Sequence, residues 1–330
     1  MSEMLMREIG GSGVIASAIG LGTWAIGGWM WGGTDEAEAI KAVNVSLDEG
    51  VTLVDTAPAY GMGRAEEILG RALRGRRDKA VISTKCGLVW HLPKGNYFFS
   101  QQDKPVHRYL GADSIRYELE QSLKRLGTDY VDHYVTHWQD ATTPVDETLG
   151  VLLDLKSEGK IRSIGASNCS VEDVKAYVAA GQLDAVQEEY SMVKRGLEDA
   201  LLPLCRANCV SVLSYSSLGL GLLSGKIDTE RKFTGDDLRK DNPRFSVPNR
   251  RKVSALMEEI RPIASAHKAT ESQIIIAWTL QQPGITFALC GARNPGQAAE
   301  NAAAGRLKLS SSEIQSVSSA ASKHLIAMDA

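Results

Sequence analysis

Cysteine is scarce in this chain, and the few that occur show no pairing pattern. The sequence contains five cysteines, an odd number, at the scattered positions Cys86, Cys169, Cys205, Cys209 and Cys290. This pattern does not indicate a disulfide framework. Cys205 and Cys209 lie close in sequence, but without further ligands their spacing does not predict a zinc site. We interpret all five as the reduced thiols of a cytoplasmic protein.

An excess of charge of one sign is also absent, as is any long apolar run. The chain carries 37 Lys and Arg against 40 Asp and Glu, for a net charge of -3. No basic stripe is present, which argues against a nucleic-acid partner. No apolar run reaches membrane-spanning length, and Met1–Arg7 lacks the apolar core of a signal peptide. The sequence thus predicts a cytoplasmic protein without membrane partners and leaves oligomerisation open.

What the chain does contain is a regular alternation of apolar strands and helical segments, after a short glycine-rich hairpin. At 43% hydrophobic residues it can bury a large core, and no low-complexity segment interrupts it. The strands are predicted at residues 19–24, 52–55, 80–85, 131–137, 161–166, 185–189, 211–214 and 287–291. Strand–helix alternation requires parallel strands with right-handed crossovers. Eight such units close a (β/α)8 TIM barrel, so residues 1–330 are predicted to form one α/β domain.

An open, doubly wound sheet is the alternative to the barrel. It should show a G-x-G-x-x-G turn after the first strand. The segment Gly20-Leu21-Gly22 lacks the third glycine and leads into a tryptophan-rich loop, so the barrel is favoured. Two long segments, 86–110 and 217–251, follow strands and are predicted to be lid loops over the C-terminal face.

Ionisable side chains stand at the C-terminal ends of the predicted strands, where barrels place their chemistry. Asp55 ends the second strand, Tyr60 lies in the turn just beyond, Lys85 ends the third strand and His137 ends the fourth. Taken singly, each has an ordinary explanation as a helix cap, a surface charge or a structural side chain. Four such groups gathered together are costly to desolvate unless they pair and serve chemistry.

This set of groups suits proton transfer to an oxygen atom. We expect Asp55 to pair with Lys85, and the Lys85 ammonium to lower the pKa of Tyr60 from its free value of about 10. His137 can position a carbonyl by bonding the same oxygen. The sequence shows no serine-nucleophile elbow and no HxH or HExxH metal motif. Carbonyl reduction fits, but no side chain supplies a hydride, so a nicotinamide cofactor is implied.

The order of the motifs resembles the aldo-keto reductase superfamily over essentially the whole chain. Each motif is moderately specific, and the series is highly specific. The motifs are Gly20–Trp24, Asp55–Ala57 with Tyr60-Gly61, Ser83-Thr84-Lys85, Tyr130–Asp132 with His137-Trp138, Gly159–Asn168, Gln187–Ser191, Tyr215–Gly219 and Gly291–Asn301. The segment 86–110 resembles prokaryotic sugar- and inositol-linked members.

The resemblance implies NADP(H)-dependent reduction, with Tyr60 as the general acid of a tetrad completed by Asp55, Lys85 and His137. Ser167, Asn168 and Gln187 would hold the carboxamide, and Tyr215 would stack on the nicotinamide. The whole implied cofactor set is Thr23, Trp24, Asp55, Ser167, Asn168, Gln187, Tyr215, Ser216, Leu218, Gly219, Lys226, Gly291, Arg293, Gln297, Glu300 and Asn301. No metal is implied.

Three positions depart from the family pattern. The best-known members carry Lys where Gly291 stands and Arg where Gln297 stands, both for the cofactor 2′-phosphate. Arg293 is the predicted substitute because its fork suits phosphate. NADP(H) is the predicted cofactor, and NAD(H) use stays open. Gln139 replaces the usual Pro after His-Trp and is expected to change the substrate wall.

The predicted substrate is a sugar- or polyol-derived aldehyde or ketone, reduced reversibly to the alcohol. Flat tryptophan faces pack well on the C–H faces of sugars, and His91 and Lys94 are expected to bond hydroxyl groups. The predicted substrate-binding residues are Trp24, Trp31, Tyr60, Trp90, His137 and Trp138.

Two other functions stay open. One is a broad-specificity aldehyde reductase, whose pocket should be apolar. The other is a NADP-binding, redox-sensing regulatory subunit like the β-subunits of potassium channels, which the intact tetrad disfavours. Arg108, Arg239 and Arg244 on the lids could recognise an anionic group.

Overall fold

A computed structural model describes residues 3–326 and 328. The strands in chain order are β1 (Met6–Glu8), β2 (Ile15–Ser17), β3 (Ile19–Gly22), β4 (Leu53–Asp55), β5 (Val81–Cys86), β6 (Leu88–Val89), β7 (Asn96–Gln101), β8 (Lys104–Arg108), β9 (Val131–Thr136), β10 (Ile161–Ser167), β11 (Ala185–Glu189), β12 (Ser211–Tyr215) and β13 (Phe287–Gly291). Strands β3, β4, β5, β9, β10, β11, β12 and β13 pair in parallel in that order and close a barrel. The predicted (β/α)8 barrel is confirmed.

Helices follow the barrel strands and cover the outside. They are α1 (Glu36–Asp48), α2 (Arg64–Ala72), α3 (Ala112–Leu126), α4 (Val145–Ser157), α5 (Val171–Ala180), α6 (Leu201–Ala207), α7 (Val247–Ala266), α8 (Glu271–Leu280), α9 (Pro295–Ala304) and α10 (Ser311–His324). Side chains cap the N-termini of several helices. The Asp35 carboxylate accepts a hydrogen bond from the backbone N–H of Glu38, and Ser170, Thr270 and Ser310 form capping boxes. Within the described residues, no helix has the length and apolarity needed to cross a membrane.

The predicted N-terminal hairpin, β1 and β2, closes the barrel at the N-terminal ends of its strands. Arg7 donates hydrogen bonds to the carbonyl oxygens of Ile285 and Thr286 at 3.0 and 2.7 Å. Ile9 and Val14 join a buried cluster with residues of the barrel interior. With that end filled, the opposite face is the one left open for chemistry.

The two lid segments contain more regular structure than predicted. Residues 86–110 include an antiparallel sheet in the order β6-β8-β7. The turn between β7 and β8 places Gln102 and Asp103 at φ 51° and 58°, the left-handed values that a two-residue hairpin requires. In the second segment, short 3₁₀ turns occur at Leu222–Ser224 and Pro243–Phe245. Helix α7 begins at Val247, so this lid ends earlier than residue 251.

Candidate active site

A buried ion pair between Asp55 and Lys85 lies at the centre of the barrel mouth. The neighbouring strands β4 and β5 supply the two residues, and their register places Asp55 beside Ser83. The Lys85 ammonium lies 2.8 Å from each Asp55 oxygen and donates to the Thr56 carbonyl oxygen, also at 2.8 Å. Asp55 is 3% exposed and Lys85 1%. Because water is excluded, each charge depends on the other for its stability.

Tyr60 and His137 complete a group of four around this pair. The Lys85 nitrogen lies 5.0 Å from the centroid of the Tyr60 ring. The His137 ring lies 5.8 Å from the Tyr60 ring at an interplanar angle of 83°. The first loop packs directly on the turn that carries the phenol, since a Cβ at Gly27 would come within 2.7 Å of the Tyr60 backbone. The absence of a side chain at Gly27 therefore lets the Tyr60 turn sit where it does.

Burial, rather than the lysine, controls the protonation of this group. Enclosure in the protein, then the charge of Asp55 and the nearby Tyr215, raise the pKa of Tyr60 well above its ordinary value. The predicted lowering of the Tyr60 pKa is wrong, because burial raises it and the charge of Asp55 adds to that effect. Burial and, secondarily, Lys85 lower the pKa of His137 well below its usual range. At neutral pH the site therefore holds a protonated phenol and a neutral imidazole.

A linked set of polar side chains extends from the ion pair across β10 to β12. The Gln187 amide nitrogen donates to Asp55 at 2.9 Å. The Ser167 hydroxyl donates to the Gln187 carbonyl oxygen at 2.7 Å, and the Asn168 amide nitrogen donates to Ser167 at 3.1 Å. The Tyr215 hydroxyl donates to the Asn168 side-chain oxygen at 2.8 Å. The side-chain oxygen of Gln187 is buried and has no hydrogen-bond partner among the described residues.

A cavity of about 890 Å³ runs from the tetrad to helix α9. Its wall includes most of the predicted cofactor residues, namely Trp24, Asp55, Ser167, Asn168, Gln187, Tyr215, Ser216, Leu218, Lys226, Gly291, Arg293, Gln297, Glu300 and Asn301. Thr23 and Gly219 were also predicted but are not part of this wall. In residues 3–326 and 328, no group of three or more His, Cys, Asp or Glu could hold a metal ion.

At the α9 end of the cavity, Glu300 gathers several donors. Lys226 forms an ion pair with it, and the hydroxyls of Thr270 and Ser272 donate to it at 3.1 and 3.0 Å. These contacts lower the pKa of Glu300, against the opposing effect of burial. The carboxylate is therefore charged, and the neighbouring ammonium of Lys226 is already paired with it.

Residues of the second lid also line the cavity. The Asp236 carboxylate accepts the backbone N–H groups of Met30 and Gly32 at 2.9 and 3.1 Å, and the Leu238 N–H donates to the Met30 carbonyl oxygen at 3.0 Å. These bonds join the lid to the loop that follows β3. The described structure therefore has this lid in a closed position over the cavity.

Two arginines meet beneath this lid contact. Arg239 binds Asp237 through two nitrogens at 2.9 and 2.7 Å, and its guanidinium carbon lies 5.0 Å from the Trp31 ring centroid. Arg293 donates to the Trp31 carbonyl oxygen at 3.0 Å. The guanidinium of Arg293 is therefore held against the loop that contains Trp31.

The opposite end, beside Tyr60, has a largely aromatic wall. The Trp29 and Phe99 rings stack at 5.2 Å, and the Phe98 and Trp138 rings lie 5.0 Å apart. The lid hairpin contributes one polar side chain to this wall, that of Ser100. The aromatic residues are Trp24, Trp29, Trp31, Phe98, Phe99 and Trp138. This part of the cavity therefore suits an apolar group better than a polyhydroxylated one.

The combination of barrel, tetrad and elongated cavity agrees with the comparison to known families. The family described as "Aldo/keto reductase family" matches residues 18–322. This chain belongs to the aldo/keto reductase family. It is an oxidoreductase of the kind that acts on carbonyl groups.

Curated relatives of this aldo/keto reductase include two bacterial proteins. The aldo-keto reductase YhdN of Bacillus subtilis is 42% identical over 297 residues, which cover 89% of this chain and 86% of YhdN. The NADH-specific methylglyoxal reductase of Escherichia coli is 40% identical over 311 residues, which cover 92% of this chain and 94% of that protein.

Solved structures of family members superpose along nearly the whole chain. The glycerol dehydrogenase AKR11B4 from Gluconobacter oxydans is 36% identical, with a TM-score of 0.86 over 97% of this chain and 95% of its own. An aldo-keto reductase from Klebsiella pneumoniae in complex with NADPH is 28% identical, with a TM-score of 0.71 over 96% of this chain and 94% of its own.

Some residues predicted for this aldo/keto reductase's substrate wall lie elsewhere. Contrary to prediction, Trp90 is not on the cavity wall. His91 packs 4.3 Å from the Tyr117 ring, and Lys94 pairs with Asp113 at 2.9 Å. The expectation that His91 and Lys94 bond substrate hydroxyls is therefore wrong, because both are engaged with helix α3.

Gln139, which was expected to change the substrate wall, does not itself line the cavity. Its amide nitrogen donates to the Ser167 carbonyl oxygen at 3.0 Å, and its oxygen accepts from the Tyr177 hydroxyl at 3.1 Å. It therefore braces β10 against helix α5. Of the three lid arginines predicted to recognise an anionic group, Arg239 lines the cavity. Arg108 stacks 4.6 Å from the Phe98 ring, and Arg244 pairs with Glu189 at 3.0 Å.

Sequence reasoning missed several wall residues on the lids, among them Phe98, Phe99, Ser100 and Arg231. Phe98, Phe99 and Ser100 lie on strand β7, and Arg231 lies on the second lid. The run of aromatic residues in 96–101 was a signal that this segment forms a strand, because aromatic side chains are enriched in strands. Nothing in the local sequence distinguished Arg231 from the other lid charges.

Proposed function

We propose that this chain is a NADP(H)-dependent aldehyde reductase of broad specificity, with Tyr60 as proton donor to the reacting carbonyl oxygen. The proposal rests on one observation: the tetrad lies at one end of a long cavity, and the wall beside it is aromatic. The alternative of a purely regulatory, cofactor-sensing subunit is disfavoured, because such a protein has no need for the complete tetrad.

The proton chemistry follows from the ionisation of the two rings. Tyr60 keeps its proton at neutral pH because its pKa is raised, and it can donate that proton to a carbonyl oxygen. The neutral His137 ring can bond the same oxygen and orient it. The Lys85 ammonium, 5.0 Å from the Tyr60 ring centroid, favours the phenolate that remains after donation. Asp55 holds Lys85 in that position.

The residues along the cavity fit a nicotinamide dinucleotide. When bound, the nicotinamide supplies the hydride that no side chain can supply. The unpartnered Gln187 oxygen would accept from the carboxamide, with Ser167 and Asn168 beside it. Tyr215 would pack on the ring. The Klebsiella pneumoniae relative in complex with NADPH supports this assignment.

The aromatic wall favours an aldehyde with an apolar substituent over the predicted sugar or polyol derivative. Sugar hydroxyls would need several polar partners, and burying hydroxyls without them is costly. Ser100 is the polar side chain that the hairpin offers there. A sugar- or polyol-derived carbonyl stays as the second candidate, because the Gluconobacter oxydans relative is a glycerol dehydrogenase.

A substrate panel tests the proposal. Purified protein is assayed by loss of NADPH absorbance with aromatic and aliphatic aldehydes, 2-oxoaldehydes and aldoses of matched carbonyl reactivity. We expect kcat/KM to be at least tenfold higher for the apolar aldehydes, the order expected for about 1.4 kcal/mol of better burial. Higher values for aldoses would favour the second candidate. Tight NADPH binding without turnover of any carbonyl would contradict the enzyme assignment.

A further inference from the structure

The cavity wall carries five cationic side chains, and their partners differ. They are Lys85, Lys226, Arg231, Arg239 and Arg293. Lys85 and Lys226 are paired with the carboxylates of Asp55 and Glu300. Arg239 is bound through two nitrogens to Asp237. An added anionic group therefore has to be recognised chiefly by the cations that remain.

Arg293, the side chain predicted to bind the 2′-phosphate, is hydrogen-bonded to the loop that follows β3. Its guanidinium donates to the Trp31 carbonyl oxygen at 3.0 Å. Burial, and then the neighbouring charge of Arg239, lower its pKa. Its backbone N–H donates to the Gln297 side-chain oxygen at 2.9 Å, so the backbone is fixed as well. A reorientation of the Arg293 side chain would break its bond to Trp31.

Arg231 has a fixed backbone and a free guanidinium. Its N–H donates to the Asp228 carboxylate at 2.8 Å, and its carbonyl oxygen accepts from Arg250 at 2.8 Å. Its guanidinium has no hydrogen bond or ion pair with any described residue, although the residue lines the cavity and is exposed. Arg231 follows shortly after Lys226, whose side chain reaches Glu300 on helix α9. An unpartnered cation is thus anchored on the lid segment that borders the α9 end.

We propose that Arg231 distinguishes NADP(H) from NAD(H) by binding the 2′-phosphate of the cofactor. This inference rests on the proposed function, because it requires a nicotinamide dinucleotide in the cavity. The 2′-phosphate carries close to two negative charges at neutral pH, and NAD(H) has an uncharged hydroxyl there. A guanidinium offers two parallel N–H donors to a phosphate. Gly291 and Gln297 carry no positive charge.

The test measures cofactor binding rather than turnover. Dissociation constants of NADP+ and NAD+ are measured by quenching of tryptophan fluorescence for the wild-type protein, Arg231→Gln and Arg231→Lys. We expect Arg231→Gln to weaken NADP+ binding by about 10- to 100-fold, the range for loss of a hydrogen bond between charged groups. NAD+ binding should change by less than about twofold, since these bonds act on the 2′-phosphate alone. Arg231→Lys should retain part of the NADP+ preference because it keeps the charge.

Lys232→Gln is the matched control. It removes the same charge from the next residue, which does not line the cavity, and should leave both constants unchanged. Equal weakening of NADP+ and NAD+ in Arg231→Gln would place Arg231 on the shared part of the cofactor and overturn the inference. Unchanged NADP+ binding would also overturn it. If the wild-type protein bound neither dinucleotide, the proposed function itself would fail.

Discussion

Removal of the Lys85 side-chain charge should destabilise the fold far more than removal of the whole Asp55–Lys85 pair. Lys85→Met keeps the side-chain length but deletes three hydrogen bonds, two to Asp55 and one to Thr56. Among the residues that the structure describes, Asp55 would then keep the donors from Ser83 and Gln187. A buried carboxylate left without its cation costs about 3–5 kcal/mol of unfolding free energy.

The double variant Asp55→Asn/Lys85→Met supplies the contrast. It removes both charges, and replacing a whole buried ion pair costs little or is stabilising. We therefore expect the double variant to recover at least half of the loss seen in Lys85→Met. The stability changes caused by the Asp55 and Lys85 substitutions are then strongly non-additive, as expected for groups in direct contact.

Urea denaturation followed by circular dichroism at neutral pH measures these free energies. A loss below about 1 kcal/mol, the range of an exposed pair, would refute the reasoning. A double variant as unstable as the sum of its single changes would refute it too.

Two predictions concern pH. Because the pKa of Tyr60 is raised, its proton-donating form persists through neutral pH, so kcat/KM for carbonyl reduction should stay constant there. Alcohol oxidation needs the deprotonated phenol, so its initial rate should rise steadily with pH. A reduction rate that falls near neutral pH would contradict this. Burial raises the pKa of Glu118 from 4.5 to about 8, so the folded state holds a proton that the unfolded state has lost. Buried His133 and His137, whose pKa values are lowered from 6.5, oppose this effect at acidic pH, so stability should decline between about pH 6.5 and 8. Glu118→Gln should make that decline shallower in urea titrations at several pH values, but not abolish it, because burial raises the pKa of Glu188 to about 8 as well.

The barrel and the tetrad were predictable because both depend on local periodicity. Strands and helices alternate regularly, and the chain direction in such a barrel brings the C-terminal strand ends to one face. Asp55, Lys85 and His137 therefore had to meet there once the strands were placed. The hairpin of β7 and β8 was not predicted, because its turn uses Gln102-Asp103 instead of the Asn-Gly or Asp-Gly pairs typical of such turns.

Side-chain direction and ionisation could not be predicted in the same way. The guanidinium of Arg293 is held by a carbonyl oxygen from Trp31, a residue distant in sequence. Trp90 lies on a lid whose path depends on contacts with helix α3, so nothing in its own neighbourhood indicated that it would miss the cavity. The pKa of Tyr60 depends on how deeply the ring is enclosed and on the nearby charge of Asp55. Each of these depends on tertiary contacts rather than on a sequence pattern.

Tyr60→Phe tests the proposed proton donor most directly, through its separate effects on NADPH binding and on carbonyl reduction. The change removes only the hydroxyl and keeps the ring beside Trp24 and His137. We expect the NADPH dissociation constant to stay within about twofold, while carbonyl reduction falls by about 10²- to 10⁴-fold, the usual contribution of a general acid. Tyr117→Phe, at an exposed site on helix α3, should change neither quantity. Retention of most activity in Tyr60→Phe would contradict the account.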